Sequence, residues 1–270
     1  MTTMGKLRPE SRAGVVLLLL LAVANGLFLY LVPGRAEPDY AWAIRPEINA
    51  AFLGAGYLAG TVATALVVFR TRSWRSLRAL PLPLVVLSVF LLAATLIHAD
   101  LFRWSYAPTW VWTVVYAAVP PIVGWLWIRQ ERRAGPPPDA DPRLRGVRIA
   151  SWLLGAVLLV VGGLLFAAPT EMADVWPWDV TSLLGRAIGA WYLLVACALL
   201  VCAGTLRRPH EAIIPYATLG AWTLLLLALP VLYPERVDGP QLVWWVAVQV
   251  ALLWLACVAL ARGLPDRAAL

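Results

Sequence analysis

Charge is rare along this chain and falls in clusters, so the sequence reads as long uncharged runs broken by short polar stretches. Ala13–Gly34, Ile48–Phe69, Ala79–Ala99, Trp104–Ile128, Ile149–Thr170, Ala187–Leu206, Ala212–Pro234 and Gly239–Ala261 contain no Lys, Arg, Asp or Glu, and each has at least 20 residues. A bilayer core about 30 Å thick is crossed by about 20 helical residues rising 1.5 Å each. Water is absent there, so a spanning chain must satisfy its backbone within a helix or a closed barrel. The apolar residues follow one another without alternating, which selects helices. Eight transmembrane helices are predicted.

The same pattern recurs at half the chain length. Gly54-Ala55-Gly56-Tyr57-Leu58 returns 135 residues later as Gly189-Ala190-Trp191-Tyr192-Leu193, and Leu91-Leu92-Ala93 returns as Leu226-Leu227-Ala228. At that offset His98 meets Tyr233, Asp100 meets Glu235 and Trp110 meets Trp245. With one inserted residue, Pro33 falls on Pro169 and Trp42 on Trp178. A repeat constrains architecture before any chemistry is considered. The expected fold is an all-α integral membrane protein of eight transmembrane helices. Its two parallel four-helix repeats are related by a pseudo-twofold axis along the membrane normal, since an even helix count returns each copy to the same side. The expected boundaries are 1–128 for the first repeat, 129–148 for a Pro/Arg-rich cytoplasmic linker and 149–270 for the second repeat. Asp139 and Asp141, an Asp-x-Asp in that linker, read as solvated residues.

Composition agrees with the pattern. Apolar residues make up 61% of the chain and charged ones 14%, where soluble domains carry about a quarter. The first run is too long for the about 7–15-residue core of a signal peptide, so an uncleaved first helix is expected. With the N-terminus inside, 17 of the 22 basic residues fall on the inner segments, leaving Arg35, Arg45, Arg103, Arg186 and Arg236 outside. The positive-inside rule then puts both termini in the cytoplasm, for a multi-pass protein of the cell membrane. The net charge of +7 becomes a signal of topology and lipid headgroups. Membrane lipids and a membrane-protein partner are the expected partners, and nucleic acid is not.

Small residues mark where helices can approach closely. Gly56 and Gly60 form one Gly-x-x-x-Gly in the second span, and Gly185 and Gly189 form another opening the sixth, with Ala50 and Gly54 at its matching positions. Either these spans face each other at the pseudo-axis, or each packs within its own bundle. Pro120 and Pro121 should kink the fourth span. Nine acids lie outside, namely Glu37, Asp39, Glu47, Asp100, Glu171, Asp174, Asp179, Glu235 and Asp238; against five arginines they give that face −4. Eight of the 15 tryptophans, Trp42, Trp104, Trp110, Trp112, Trp176, Trp178, Trp244 and Trp245, sit at the same level. An interfacial aromatic belt accounts for most of them; the rest could line a cup for a cation, a lipid or a flat ligand.

Arg186 stands more than one turn into the sixth span, where a charge needs either a partner or a route to the headgroups. Asp179, Glu47 and Asp100 are its candidate partners. The candidate ligand-binding cluster is therefore Arg186, Asp179, Trp178, Thr181 and Tyr192, answered from the first repeat by Glu47, Trp42 and Tyr57. Gln249, mid-span in the eighth helix, needs a partner such as backbone or Thr223. His98 and His210 fall on opposite faces, and Cys197, Cys202 and Cys257 show no metal spacing, so no metal or cofactor is expected.

Hydrolase, zinc-protease and nucleotide-loop signatures are missing. Glu37 and Asp39 lie in the first outer loop, where they are similar to the acids that some polyprenyl-linked glycosyltransferases keep there. Such a resemblance implies an intramembrane glycosyl transferase, although those enzymes have long outer loops. The leading expectation is a small-molecule or lipid binding or permease-like protein, non-enzymatic, with its site near the repeat interface at the outer face. A non-catalytic accessory or scaffold subunit of a membrane complex is the alternative.

Overall fold

The computed structural model describes residues 9–70, 74–237 and 239–263. Lys6, Arg8, Arg72, Asp238 and Arg267 of the charge pattern lie outside them. The described chain is helical, with no strand. Its long helices are α1 (Pro9–Leu31), α2 (Glu47–Arg70), α3 (Pro81–Ile97), α4 (Ala107–Glu131), α5 (Arg145–Ala167), α6 (Ser182–Thr205), α7 (Ile213–Leu232) and α8 (Gln241–Gly263). Seven helices are long and apolar enough to cross a membrane. There are eight if Leu19–Leu31 and Pro33–Asp39, which meet at a 100° bend, form one span. Outward-facing apolar side chains such as Phe69 (81% exposed) and Val231 (78% exposed) are what lipid contact permits and water does not. Seven or eight such helices are what a multi-pass membrane protein requires.

The long helices start and stop for local reasons. Pro81 opens α3 and Pro108 lies in the first turn of α4, where the missing N–H has no intrahelical partner to lose. Thr181 caps α6 by accepting from the Leu184 N–H at 3.3 Å, which satisfies one of the donors that a helix start leaves free. α4 is continuous through Pro120 and Pro121, so the expected kink does not break the helix.

α6 packs on α5 and α3, α2 on α1 and α7, α3 on α4, and α7 on α8. In the most apolar stretch of α6, 67% of residues are buried, against 17% in α4, which sets α6 at the centre and α4 at the rim. Glycine permits the closest of these crossings. A Cβ on Gly189 would stand 2.8 Å from the Gly162 carbonyl of α5, and one on Gly54 would stand 2.6 Å from the Tyr30 nitrogen of α1. These glycines serve the pairing of neighbours in the chain. A Cβ on Gly56 would instead meet the Trp191 ring of α6 at 2.6 Å, while one on Gly60 would meet nothing within 4 Å. α2 and α6 thus touch mainly through rings. Phe52 stacks on Tyr192 at 6.0 Å, and Tyr57 sits edge-on to Trp191 at 5.3 Å.

At the linker end, Arg78 grips Glu131 of α4 through two nitrogens, Nη2 reaching Oε2 at 2.6 Å, and Arg75 donates to the Pro136 carbonyl at 2.9 Å. Asp141 accepts from the Arg143 N–H at 2.9 Å and caps the turn that leads into α5. That is a structural use for one member of the Asp-x-Asp pair.

Candidate functional site

The loop entering α2 brings Asn49 under the loop entering α6. Asn49 is fully buried and accepts from Trp178 Nε1 at 2.9 Å, while its amide nitrogen donates to the carbonyls of Asp179 at 3.0 Å and Arg45 at 3.1 Å. One amide side chain thereby stitches the two halves of the chain together. It also explains why Trp178 lies inside. Around it, Trp178 stands edge-on to Trp176 and Trp245 at 5.3 and 5.2 Å, and Tyr192 lies edge-on to Trp222 at 5.6 Å. Tyr192 accepts from Gln249 Nε2 at 2.9 Å. Gln249 therefore pairs with a tyrosine hydroxyl rather than with Thr223, whose own hydroxyl turns back to the Leu219 and Gly220 carbonyls.

Trp42 and Tyr57 belong to a second aromatic cluster. Trp42 meets Tyr40, Phe102 and Trp112 at 5.1, 5.0 and 4.8 Å. The Tyr57 and Tyr116 hydroxyls share a hydrogen bond of 2.6 Å. Of the expected belt, Trp42, Trp112, Trp176, Trp178 and Trp245 are buried and act as core. Trp110, at 55% exposed, keeps a position suited to the headgroup layer. Rings stacked edge to face contribute about 0.5–1.5 kcal/mol beyond the area they bury, so these clusters stiffen the end of the bundle away from the linker.

Arg186 has a different partner from the three acids expected. Its Nη1 lies 2.8 Å from His98 Nε2. The guanidinium must donate, so the imidazole is neutral and carries its proton on Nδ1. Burial first, and then the Arg186 charge, push the His98 pKa below its ordinary value, with Asp100 opposing. Arg186 Nε is buried without a partner among the described residues. The Glu47 carboxylate sits in the first turn of α2, over Gly34, where the helix dipole favours negative charge. Glu37 and Asp39 are held by Arg45, at 3.0 Å, and Arg35. Arg103 also clamps the carbonyls of Glu37 and Pro38 from outside.

The eight candidate residues are thus divided. Trp178, Asp179, Thr181 and Tyr192 gather around or beside Asn49, Trp42 and Tyr57 form part of the neighbouring aromatic cluster, Glu47 sits over Gly34, and Arg186 turns to α3. Asn49 and His98 escaped the sequence reading. Asn49 is uncharged and does not show in a charge tally, and metal-ligand spacing says nothing of a histidine that serves an arginine.

Beneath the rings lies open space. A cavity of about 290 Å³ is bounded by α2, α3, α6 and α7. Gly56, Ala59, Gly60 and Ala63 form its wall on α2, Trp191 and Trp222 close it toward the aromatic clusters, and Leu80, Pro83, Leu199 and Leu219 continue it toward the linker end. The hydroxyls of Thr64 and Thr218 on its lining are turned to the carbonyls of Gly60 and Ile214, at 2.8 and 2.9 Å, so the walls present hydrocarbon. Space walled in this way suits apolar guests.

Comparison with known proteins adds no family: no family model, curated protein or solved structure matches the chain.

Proposed function

We propose that this is a lipid- or apolar-ligand-binding membrane protein. It is built from two parallel four-helix repeats with both termini in the cytoplasm of a cell-membrane protein, and its ligand lies between the halves. The observation that carries the reading is the hydrocarbon-lined cavity of about 290 Å³ among α2, α3, α6 and α7. The expected outer-face site moves inward on this reading, because the rings there fill their own space. The described spans bear few ionisable groups, which favours binding or passive passage over ion-coupled transport, where intramembrane carboxylates carry the coupling charge.

Several pairs support the duplication. Gly54 seats α2 on α1 as Gly189 seats α6 on α5. α2 packs on α7 as α6 packs on α3. Tyr40, Trp42 and Trp112 form a chain of edge-on rings, as do Trp176, Trp178 and Trp245. An accessory-subunit role is the second reading, favoured by the largely uncovered face of α4, where Trp125 is 57% exposed. Glycosyl transfer has less support, since the two acids it would use are already in ion pairs.

Gly60→Leu tests the central site. Its new side chain has room at the backbone, because a Cβ there meets nothing within 4 Å, and it would project into the cavity. The variant should keep its melting temperature and lose the apolar molecule that solvent extraction and mass spectrometry recover from the wild-type protein. Retention of that molecule at wild-type stoichiometry would overturn the reading.

A further inference from the structure

At the linker end, α5 and α6 form a wedge. Near the middle of α5 they are in close contact, since a Cβ on Gly155 would lie 3.0 Å from the Leu200 side chain and 3.3 Å from the Ala196 carbonyl. Further along, near the end of α6, a Cβ on Gly204 would meet nothing within 4 Å. The gap is an open groove of about 540 Å³ lined by Arg145, Arg148, Ile149, Trp152, Leu200, Ala203 and Gly204. Arg148 spends one donor on the Ala203 carbonyl, Nε to oxygen at 2.9 Å, which fixes the guanidinium at the lip with its two terminal nitrogens left over. The Arg145 side chain makes no ion pair or hydrogen bond among the described residues and is exposed. Of the nearby acids, Asp141 accepts from the Arg143 N–H at 2.9 Å, and Glu211 is buried and accepts the backbone N–H groups of Arg207 and Arg208 at 2.8 and 3.1 Å. The Arg207 side chain brings a further cation to the far lip, Nη2 lying 3.4 Å from the Gly204 carbonyl.

We infer that this groove binds one anionic phospholipid. Its phosphate is held by Arg145 and Arg148, and an acyl chain lies along Ile149, Trp152 and Leu200 into the notch at Gly204. Two guanidiniums one helical turn apart suit a phosphate, because their planar forks can each give two parallel N–H bonds. Trp152, 58% exposed one turn further into the apolar run, offers its ring to the upper chain where the headgroup layer meets hydrocarbon. Basic grooves between transmembrane helices are where the charge of a membrane surface becomes a specific lipid site. This site is separate from the central cavity and does not depend on what fills it.

The experiment uses the full chain in phosphatidylcholine nanodiscs, with and without phosphatidylglycerol, followed by native mass spectrometry of the retained lipid. Wild type should retain phosphatidylglycerol over phosphatidylcholine. Arg145→Gln with Arg148→Gln should weaken that retention by about 30-fold, as two surface charges at about 1 kcal/mol each imply. Gly204→Leu, which fills the notch and leaves every charge in place, should also release the lipid; it keeps the test valid if the arginine variant does not fold. The arginine pair replaced by lysines should retain an intermediate amount. Equal retention of both lipids by wild type would overturn the inference, as would unchanged retention in the Gln pair or in Gly204→Leu. Inorganic phosphate displacing the lipid completely from wild type would also refute it, since the site would then read phosphate alone.

Discussion

Removing Asn49 should loosen the seam between the halves more than any other single truncation there. In Asn49→Ala, the buried Trp178 N–H loses its acceptor, and the Asp179 and Arg45 carbonyls lose a donor at 3.0 and 3.1 Å. A buried polar group left unpaired costs about 1–3 kcal/mol, and three such groups would set an upper range of roughly 3–9 kcal/mol on that figure. Interhelical hydrogen bonds in membrane proteins average only about 0.6 kcal/mol and reach about 1.7, because the unfolded chain in lipid also finds partners. The seam lies in loop and helix-start segments, where the unfolded chain can reach water, so a loss of about 2–4 kcal/mol is expected. Trp178→Phe keeps most of the ring packing against Trp176 and Trp245 and removes only the N–H, for about 1 kcal/mol. Denaturant unfolding in mild detergent, run on both single variants and the double, gives the coupling energy between them. It should be about 1 kcal/mol, the double variant losing less than the two singles added. Asn49→Ala within about 0.5 kcal/mol of wild type, or strictly additive losses, would refute the seam.

Two further outcomes follow from the geometry. His98 is held below its ordinary pKa, so the unfolded state takes up its proton first. Stability should be full above about pH 6.5 and fall as pH drops through that value toward the folded pKa. Melting curves against pH should show this slope, Arg186→Gln should make it shallower, and a slope unchanged in His98→Gln would assign it to another group. Gly189→Ala places a Cβ 2.8 Å from the Gly162 carbonyl, whereas Gly60→Ala meets nothing. The first should cost about 1–3 kcal/mol by overpacking and the second almost nothing, and equal melting temperatures would contradict the assigned faces.

Lipid makes the coarse fold readable from sequence, because every span must be a long apolar helix. The runs from Ile48–Phe69 to Gly239–Ala261 accordingly fall on α2 to α8. The finer errors have physical causes too. Charge counting points Arg186 toward acids, but a neutral imidazole serves as well when it offers a lone pair, and His98 does. Belt statistics place tryptophan at the interface by depth alone. They cannot tell an inward ring such as Trp245 from an outward one such as Trp110, because that depends on how a helix is rotated about its own axis. Gly56 and Gly60 share a spacing yet differ in role, one under the Trp191 ring and the other facing open space. Spacing specifies a face of α2, and the occupant of that face is decided by the neighbouring helices.

The proposed repeats differ most informatively where each places a polar pair deep among its helices. Tyr57 bonds Tyr116 across α2 and α4, and Tyr192 bonds Gln249 across α6 and α8. The chain between Asp100 and Trp112 is two residues longer than between Glu235 and Trp245, so Trp112 rather than Trp110 answers Trp245, and Tyr116 answers Gln249. The two pairs are not energetically alike. Two hydroxyls can satisfy each other, but an amide also carries an acceptor, and Gln249 Oε1 is buried without a partner among the described residues. Gln249→Met, close in volume, gives up one bond of about 0.6 kcal/mol while removing an unmet carbonyl whose burial costs about 1–3 kcal/mol. It should leave the protein as stable as wild type or more so. Tyr116→Phe gives up a similar bond, leaves the Tyr57 hydroxyl to Tyr40 and gains nothing in return, so it should destabilise by about 0.6 kcal/mol or more. Unfolding midpoints of the two variants in one detergent compare them directly. Gln249→Met falling below Tyr116→Phe would mean that the amide oxygen is satisfied, by a ligand or an ordered water, and that the second pair serves more than packing.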